Sequence, residues 1–214
     1  MSVPQLELSP KRKYATIVSA SLVSRREALL EADLRAALEV AFSTPELVEL
    51  ILQSLLFDGY PCALEGLIAL QEVLRDHHIP TEEQLESYSI ENVQQWRQRG
   101  LELCQKIYGK NFDKLLKNVD NLSPTLKEWM LVEGYGRVLS RNVLSMDVRE
   151  MGIIAILTVK DLQRQLFSHL RGALHLGVSM EKLRAAILLC RTYANDSKIE
   201  SALRTWSMVN GGLS

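Results

Sequence analysis

The sequence predicts an all-α protein. Three observations carry that expectation: apolar residues recur at helical spacing along nearly the whole chain, alternating apolar and polar runs are scarce, and Ser, Thr and Gly punctuate the chain where helices start and stop. Leu29, Leu30, Leu34, Ala37, Leu38 and Ala41 show the i, i+3, i+4, i+7 rule at work.

In chain order, the spacing predicts helices over 11–24 and 25–41. Thr44 before Pro45 starts a third over 45–58, because a cap oxygen precedes a residue whose missing N–H costs nothing there, and Gly59 is its stop. A fourth, 61–77, ends at His77 and His78, where cationic side chains suit the helix dipole; a metal site at that pair is the alternative reading. Thr81 with Gln84 reads as a capping box inside the polar stretch 77–89, which with Pro80 either divides two halves or simply joins two helices. Ser89 caps 90–108 and Gly109 ends it, 110–118 follows, and Ser123 before Pro124 starts 124–136. Ser145 starts 146–158, Gly177 ends 161–176, Ser179 caps 180–193, and 196–209 completes the set, with no sheet expected.

Composition narrows the function classes. The 214 residues are 47% apolar and 24% charged with only 11 Gly and 6 Pro, which describes a globular chain and excludes disordered and collagenous classes. Lys plus Arg number 25 against 26 Asp plus Glu, so no net field gathers nucleic acid or an anionic membrane, and neither is an expected partner. Cys62, Cys104 and Cys190 are far apart and form no CxxC pair, which fits neither a disulfide framework nor a zinc site. The first residues lack the apolar core of a signal peptide and no apolar run reaches the length of a membrane span, so the expected compartment is the cytoplasm. No phosphate loop, metal-ligand spacing or Ser-His-Asp arrangement is present, and no cofactor or metal is expected.

Sliding the chain against itself by 136 residues lays 14–57 on 150–193 without a gap, with 11 of 44 positions identical. Leu34-Arg35-Ala36-Ala37-Leu38 falls on Leu170-Arg171-Gly172-Ala173-Leu174, and Ser43, Leu47, Ile51 and Leu52 continue as Ser179, Leu183, Ile187 and Leu188. The expected consequence is two similar helical units packed about a pseudo-twofold axis, one chain imitating a dimer. The copies differ at two places that matter: His169 corresponds to Asp33, and Glu150 to Tyr14.

The segments 133–150 and 165–183, the latter carrying His169-Leu170-Arg171-Gly172-Ala173-Leu174-His175-Leu176-Gly177, resemble the carboxymuconolactone decarboxylase family, which includes the alkylhydroperoxidase D-like proteins. Phe57-Asp58-Gly59-Tyr60-Pro61 resembles the family's Tyr/Phe-x-Gly-x-Pro stretch, and 96–109 resembles the start of many members. The resemblance implies an alkylhydroperoxidase D-like helical bundle of two tandem repeats, 11–79 and 124–214, joined by a helical segment over 80–123. It also implies homo-oligomers; a two-repeat chain would need only threefold association to build a hexamer-like ring.

Within that family the peroxidase branch places cysteines six and three residues before a histidine, here His169, and a glutamate nineteen before it, here Glu150. Gln163 and Leu166 occupy the cysteine positions, so the thiolate and resolving thiol of disulfide exchange are missing and peroxidase chemistry is not expected. The decarboxylase branch lacks those cysteines too. Its implied activity is cofactor-independent loss of carbon dioxide from a small carboxylated lactone or related acid, a lyase step of aromatic degradation. Leu176 replaces the branch's usual Asn before Gly177, and Asn142 its usual Pro after Arg141.

His169 is the expected acid/base group, histidine being the side chain that changes charge near neutral pH, with a core histidine as the bland alternative. Glu150 is expected to orient it, or else to be a surface carboxylate favoured by a helix dipole. Arg137 and Arg171 are candidates for holding a substrate carboxylate; since Arg35 repeats Arg171, a structural ion pair is the other reading of Arg171. Tyr135 and Trp129 are candidate pocket walls or plain core. The rival to a lyase is a non-catalytic oligomeric binding protein with a vestigial site.

Overall fold

The computed structural model describes residues 8–75 and 87–212. Every regular element among them is helical, in agreement with the all-α expectation. His77, His78, Pro80, Thr81 and Gln84 lie outside the described residues. No helix among the described residues is long and apolar enough to cross a membrane.

Two compact units divide the chain: Met1–Thr81 with Leu144–Ser214, and Glu82–Val143. In the first unit, α1 (Pro10–Ser24) packs against α8 (Met146–Lys160). Every residue of α8 from Val148 to Val159 is buried, as expected of a helix that is a core element on all sides. α2 (Glu27–Val40) packs on α1 and on α4 (Leu55–Val73), and α3 (Thr44–Leu52) on α4. In the C-terminal part, α9 (Gln163–His175) packs on α8 and on α11 (Asp196–Gly211), and α10 (Met180–Leu189) on α8 and α11. A shift of 136 residues carries α1 onto α8 end to end, and α2 onto α9 and α3 onto α10 with the same first residue and ends that differ by one. It also carries Arg25 (φ 60°) onto Asp161 (φ 59°), the two non-glycine residues in left-handed conformation among the described residues, which end α1 and α8.

The caps explain most boundaries. Ser89, Ser123 and Ser179 accept hydrogen bonds from the N–H groups of Asn92, Leu126 and Lys182, as expected. α3 starts one residue earlier than the Thr44-Pro45 signal indicated: Ser43 is the cap, its N–H donating to Glu46 Oε2 at 3.0 Å, and Pro45 sits in the first turn. Gly59 is non-helical, at φ 79° and ψ 174°, and divides α4 at a kink into two helical stretches, in line with its expected role as a stop; glycine alone adopts that conformation without strain.

The second unit holds α5 (Ile90–Tyr108), α6 (Phe112–Leu122), α7 (Pro124–Trp129) and a π-helical stretch, Met130–Leu139. The helix expected over 124–136 is thus α-helical only in its first two turns. Where it widens, it presses backbone to backbone on α5: a Cβ on Gly136 would stand 1.9 Å from the Trp96 carbonyl oxygen, and one on Gly100 would stand 2.0 Å from that of Leu131. Only glycine permits that crossing.

Candidate functional site

Successive helices α8 and α9, joined through the left-handed turn at Asp161, pack along one another and bring Glu150 and His169 together. His169 Nδ1 lies 2.9 Å from Glu150 Oε2. Both are interior groups, His169 being 7% exposed and Glu150 fully buried. His169 faces inward because Leu166, Leu170 and Ala173, its neighbours one turn away or adjacent, form the buried stripe of α9.

A carboxylate on Nδ1 holds the ring in one orientation and leaves Nε2 as the reactive nitrogen. Among the described residues no hydrogen-bond partner stands at Nε2. Glu150 Oε1 is buried and also lacks a partner among the described residues. Phe57, the residue just before the kinked Asp58-Gly59 segment, packs edge-on against the imidazole, ring centroids 5.6 Å apart. The dyad is therefore a buried imidazole with a fixed base on one side, an aromatic wall on another, and one nitrogen available to donate or accept a proton.

One residue before Glu150 in the chain stands a buried ion pair that sequence reasoning missed. Arg149 Nη2 stands 2.7 Å from Glu49 Oε2, with the side chains 0% and 3% exposed, and the Arg149 carbonyl accepts from Gln53 Nε2 at 3.3 Å. No local signal marks such a pair, since lone Arg and Glu residues are ordinarily solvated. Phe57 was within reach: it heads the stretch through Pro61 that carries the family resemblance.

Arg171 shares α9 with His169 but sits two residues on, about 200° around the axis. Its guanidinium lies over the Phe167 ring, 5.8 Å from the centroid, and no ion pair to it occurs among the described residues. Arg137 and Tyr135 belong to the second unit, on its π-helical stretch. Arg137 pairs with Glu133 at 3.2 Å, hydrogen-bonds Tyr88, and lies over the rings of Tyr88 (4.5 Å) and Trp96 (5.3 Å), an arrangement that fixes a guanidinium by cation–π contact. Tyr135 is buried, its hydroxyl 2.6 Å from that of Tyr108. Trp129 is exposed.

The three cysteines are all buried. Burial pushes the Cys190 thiol up to about 12 and raises those of Cys62 and Cys104 above the usual thiol range.

Residues 124–207 match the carboxymuconolactone decarboxylase family. The chain is similar to Peroxisomal protein 2 of Saccharomyces cerevisiae, 27% identical over 164 residues, which is 66% of this chain and 58% of that protein. It is similar to Peroxisomal protein 2 of Schizosaccharomyces pombe, 28% identical over 182 residues, 84% of each chain. To the 4-carboxymuconolactone decarboxylase of Acinetobacter baylyi it is 29% identical over 104 residues, 48% of this chain and 78% of that enzyme. The matched part thus spans under two thirds of the Saccharomyces cerevisiae protein's length.

Proposed function

We propose that the chain, whose residues 124–207 match the carboxymuconolactone decarboxylase family, is a cofactor-independent carboxy-lyase acting on a small carboxylated lactone or related acid. The observation that carries this reading is the buried contact of His169 Nδ1 with Glu150 Oε2 at 2.9 Å. In the reaction the bond to the carboxylate breaks, carbon dioxide leaves, and the electron pair passes into the conjugated lactone carbonyl. The carbanionic carbon then takes a proton from His169 Nε2, while Glu150 stabilises the ring's charged form. Glu150, buried and acceptor-only on its second oxygen, keeps the imidazole oriented between turnovers. A substrate carboxylate calls for an arginine; in the unit that holds His169 the candidate is Arg171, and Arg171→Ala, with KM read separately from kcat, tests it as the clamp.

The test is the decay of 4-carboxymuconolactone with wild type and His169→Ala. Decay with the first and not the second supports the lyase; equal inactivity of both removes it. The runner-up is a binding protein that has kept the fold, favoured by the near-complete enclosure of His169 and Glu150, and it predicts that second result. Thiol peroxidase chemistry finds no support, because Gln163 and Leu166 stand at the cysteine positions and the three thiols are enclosed.

The same reading includes the two-repeat pseudo-dimer and its threefold association, supported by the 136-residue register shared by α1 to α3 and α8 to α10; light scattering of the purified chain measures the assembly. For the compartment, the name of the two yeast relatives supports a peroxisomal setting in place of the expected cytoplasmic one. Localisation of a fluorescent fusion decides between them.

A further inference from the structure

The contact between His169 and Phe57 joins the two segments related by the 136-residue shift. Exchanging the segments turns His169 into Asp33 and Phe57 into Tyr193. That exchanged contact exists: the Tyr193 hydroxyl donates to Asp33 Oδ2 at 2.7 Å. A contact that recurs with its two partners swapped is what a twofold axis generates, whereas a simple side-by-side repetition would pair each residue within its own copy. The left-handed residues Arg25 and Asp161, and the packing of α1 on α8, obey the same exchange.

We infer that the fold contains a second ligand site, at Asp33 and Tyr193, equivalent to the one at His169 and Phe57 and closed in this chain by the Tyr193 to Asp33 hydrogen bond. The inference rests on the two-repeat reading and not on His169 being catalytic. Phe57 has no polar atom, so the imidazole opposite it keeps a nitrogen for a ligand. Tyr193 carries one extra hydroxyl, and that hydroxyl occupies the acceptor opposite it. Tyr193 is 9% exposed, so the bond lies at the edge of the interior, where little water competes for it. Charge reinforces the closure. Asp33 presents an anion where His169 presents an imidazole, so a carboxylated ligand that suits the first site is repelled from the second. Tyr14, in the place of Glu150, is half-buried under the Lys13 ammonium, 5.6 Å from its ring, and supplies no base. Each chain therefore carries one imidazole with a nitrogen left for a ligand and one closed counterpart.

Rebuilding the site tests this. In the full-length triple variant Tyr14→Glu, Asp33→His, Tyr193→Phe, the introduced imidazole is expected to show a hydrogen-bonded Nδ1–H tautomer by nitrogen-15 NMR, matching the signature of His169. An introduced imidazole that titrates and exchanges as a solvated histidine overturns the equivalence. If the triple variant does not fold, the single variants decide. Tyr193→Phe should lower Tm by several degrees in wild type and leave it nearly unchanged in the Asp33→Ala background. Purely additive losses overturn the closure. Neither readout depends on decarboxylation, so the failure of one reading is separate from that of the other.

Discussion

Arg149 and Glu49 form an ion pair, 2.7 Å between Nη2 and Oε2, with both side chains buried and the two residues 100 positions apart in the chain. It joins α3 to α8 one residue before Glu150, so the backbone that carries the orienting carboxylate is itself held by a charge pair. Breaking a buried pair on one side strands the other charge, at a typical cost of about 3–5 kcal/mol. Glu49→Ala and Arg149→Met should each lose that much in urea unfolding. The double variant Glu49→Leu, Arg149→Met should recover most of it, because an apolar replacement strands nothing.

For the dyad, Glu150→Gln should slow decarboxylation by about tenfold to a hundredfold and His169→Ala by about 10²–10⁴, the usual range for a positioned acid or base. Absorbance decay of the lactone measures both. The decisive comparison is His169→Gln, which fills similar space without a titrating proton and should be as slow as His169→Ala.

The glycine crossing in the second unit makes a graded prediction. Gly136→Ala and Gly100→Ala place a methyl within 2.0 Å of a carbonyl oxygen and should each cost at least about 1–3 kcal/mol, the range for overpacking. Gly134→Ala, in the same π-helical stretch, meets no heavy atom within 4 Å and should be neutral or stabilising by up to about 1 kcal/mol. Circular dichroism on thermal unfolding separates the two outcomes.

The pH profile should fall at both ends for identifiable reasons. At Asp58, burial works to raise the carboxyl's pKa, but the hydrogen bond from Lys160 at 2.6 Å and the charges of Lys160 and Arg25 outweigh it and hold the group below the usual carboxylate range. A depressed folded pKa contributes stability above the unfolded value, near 3.9, and loses it as pH falls through the folded one. Tyr193 is the reverse case: burial, then the Asp33 hydrogen bond and charge, raise its phenol well above the usual 10. Its contribution is complete below pH 10 and lost as pH rises beyond. Asp58→Asn should flatten the acid limb of a Tm profile, and Tyr193→Phe the alkaline limb.

How far the sequence alone reaches can be read at particular residues. The helical periodicity, the Ser caps at 89, 123 and 179, and the left-handed Gly109 and Gly177 were legible, because caps, turns and apolar stripes act within one or two turns of chain. The candidate pair was legible as a spacing of nineteen residues and nothing more. That Glu150 is buried, that its Oε2 meets His169 Nδ1, and that Phe57 closes one side were decided by the packing of α8 on α9 and by the arrival of α4 from a distant part of the chain. The Arg149 to Glu49 pair, the π-helical widening beside α5 and the Tyr193 to Asp33 bond belong to the same class. Each joins residues tens to more than a hundred positions apart, and its free energy depends on a desolvated setting that exists only once the helices have packed. A carboxylate in sequence is neutral as to burial; the tertiary structure makes it a solvated charge or an orienting base.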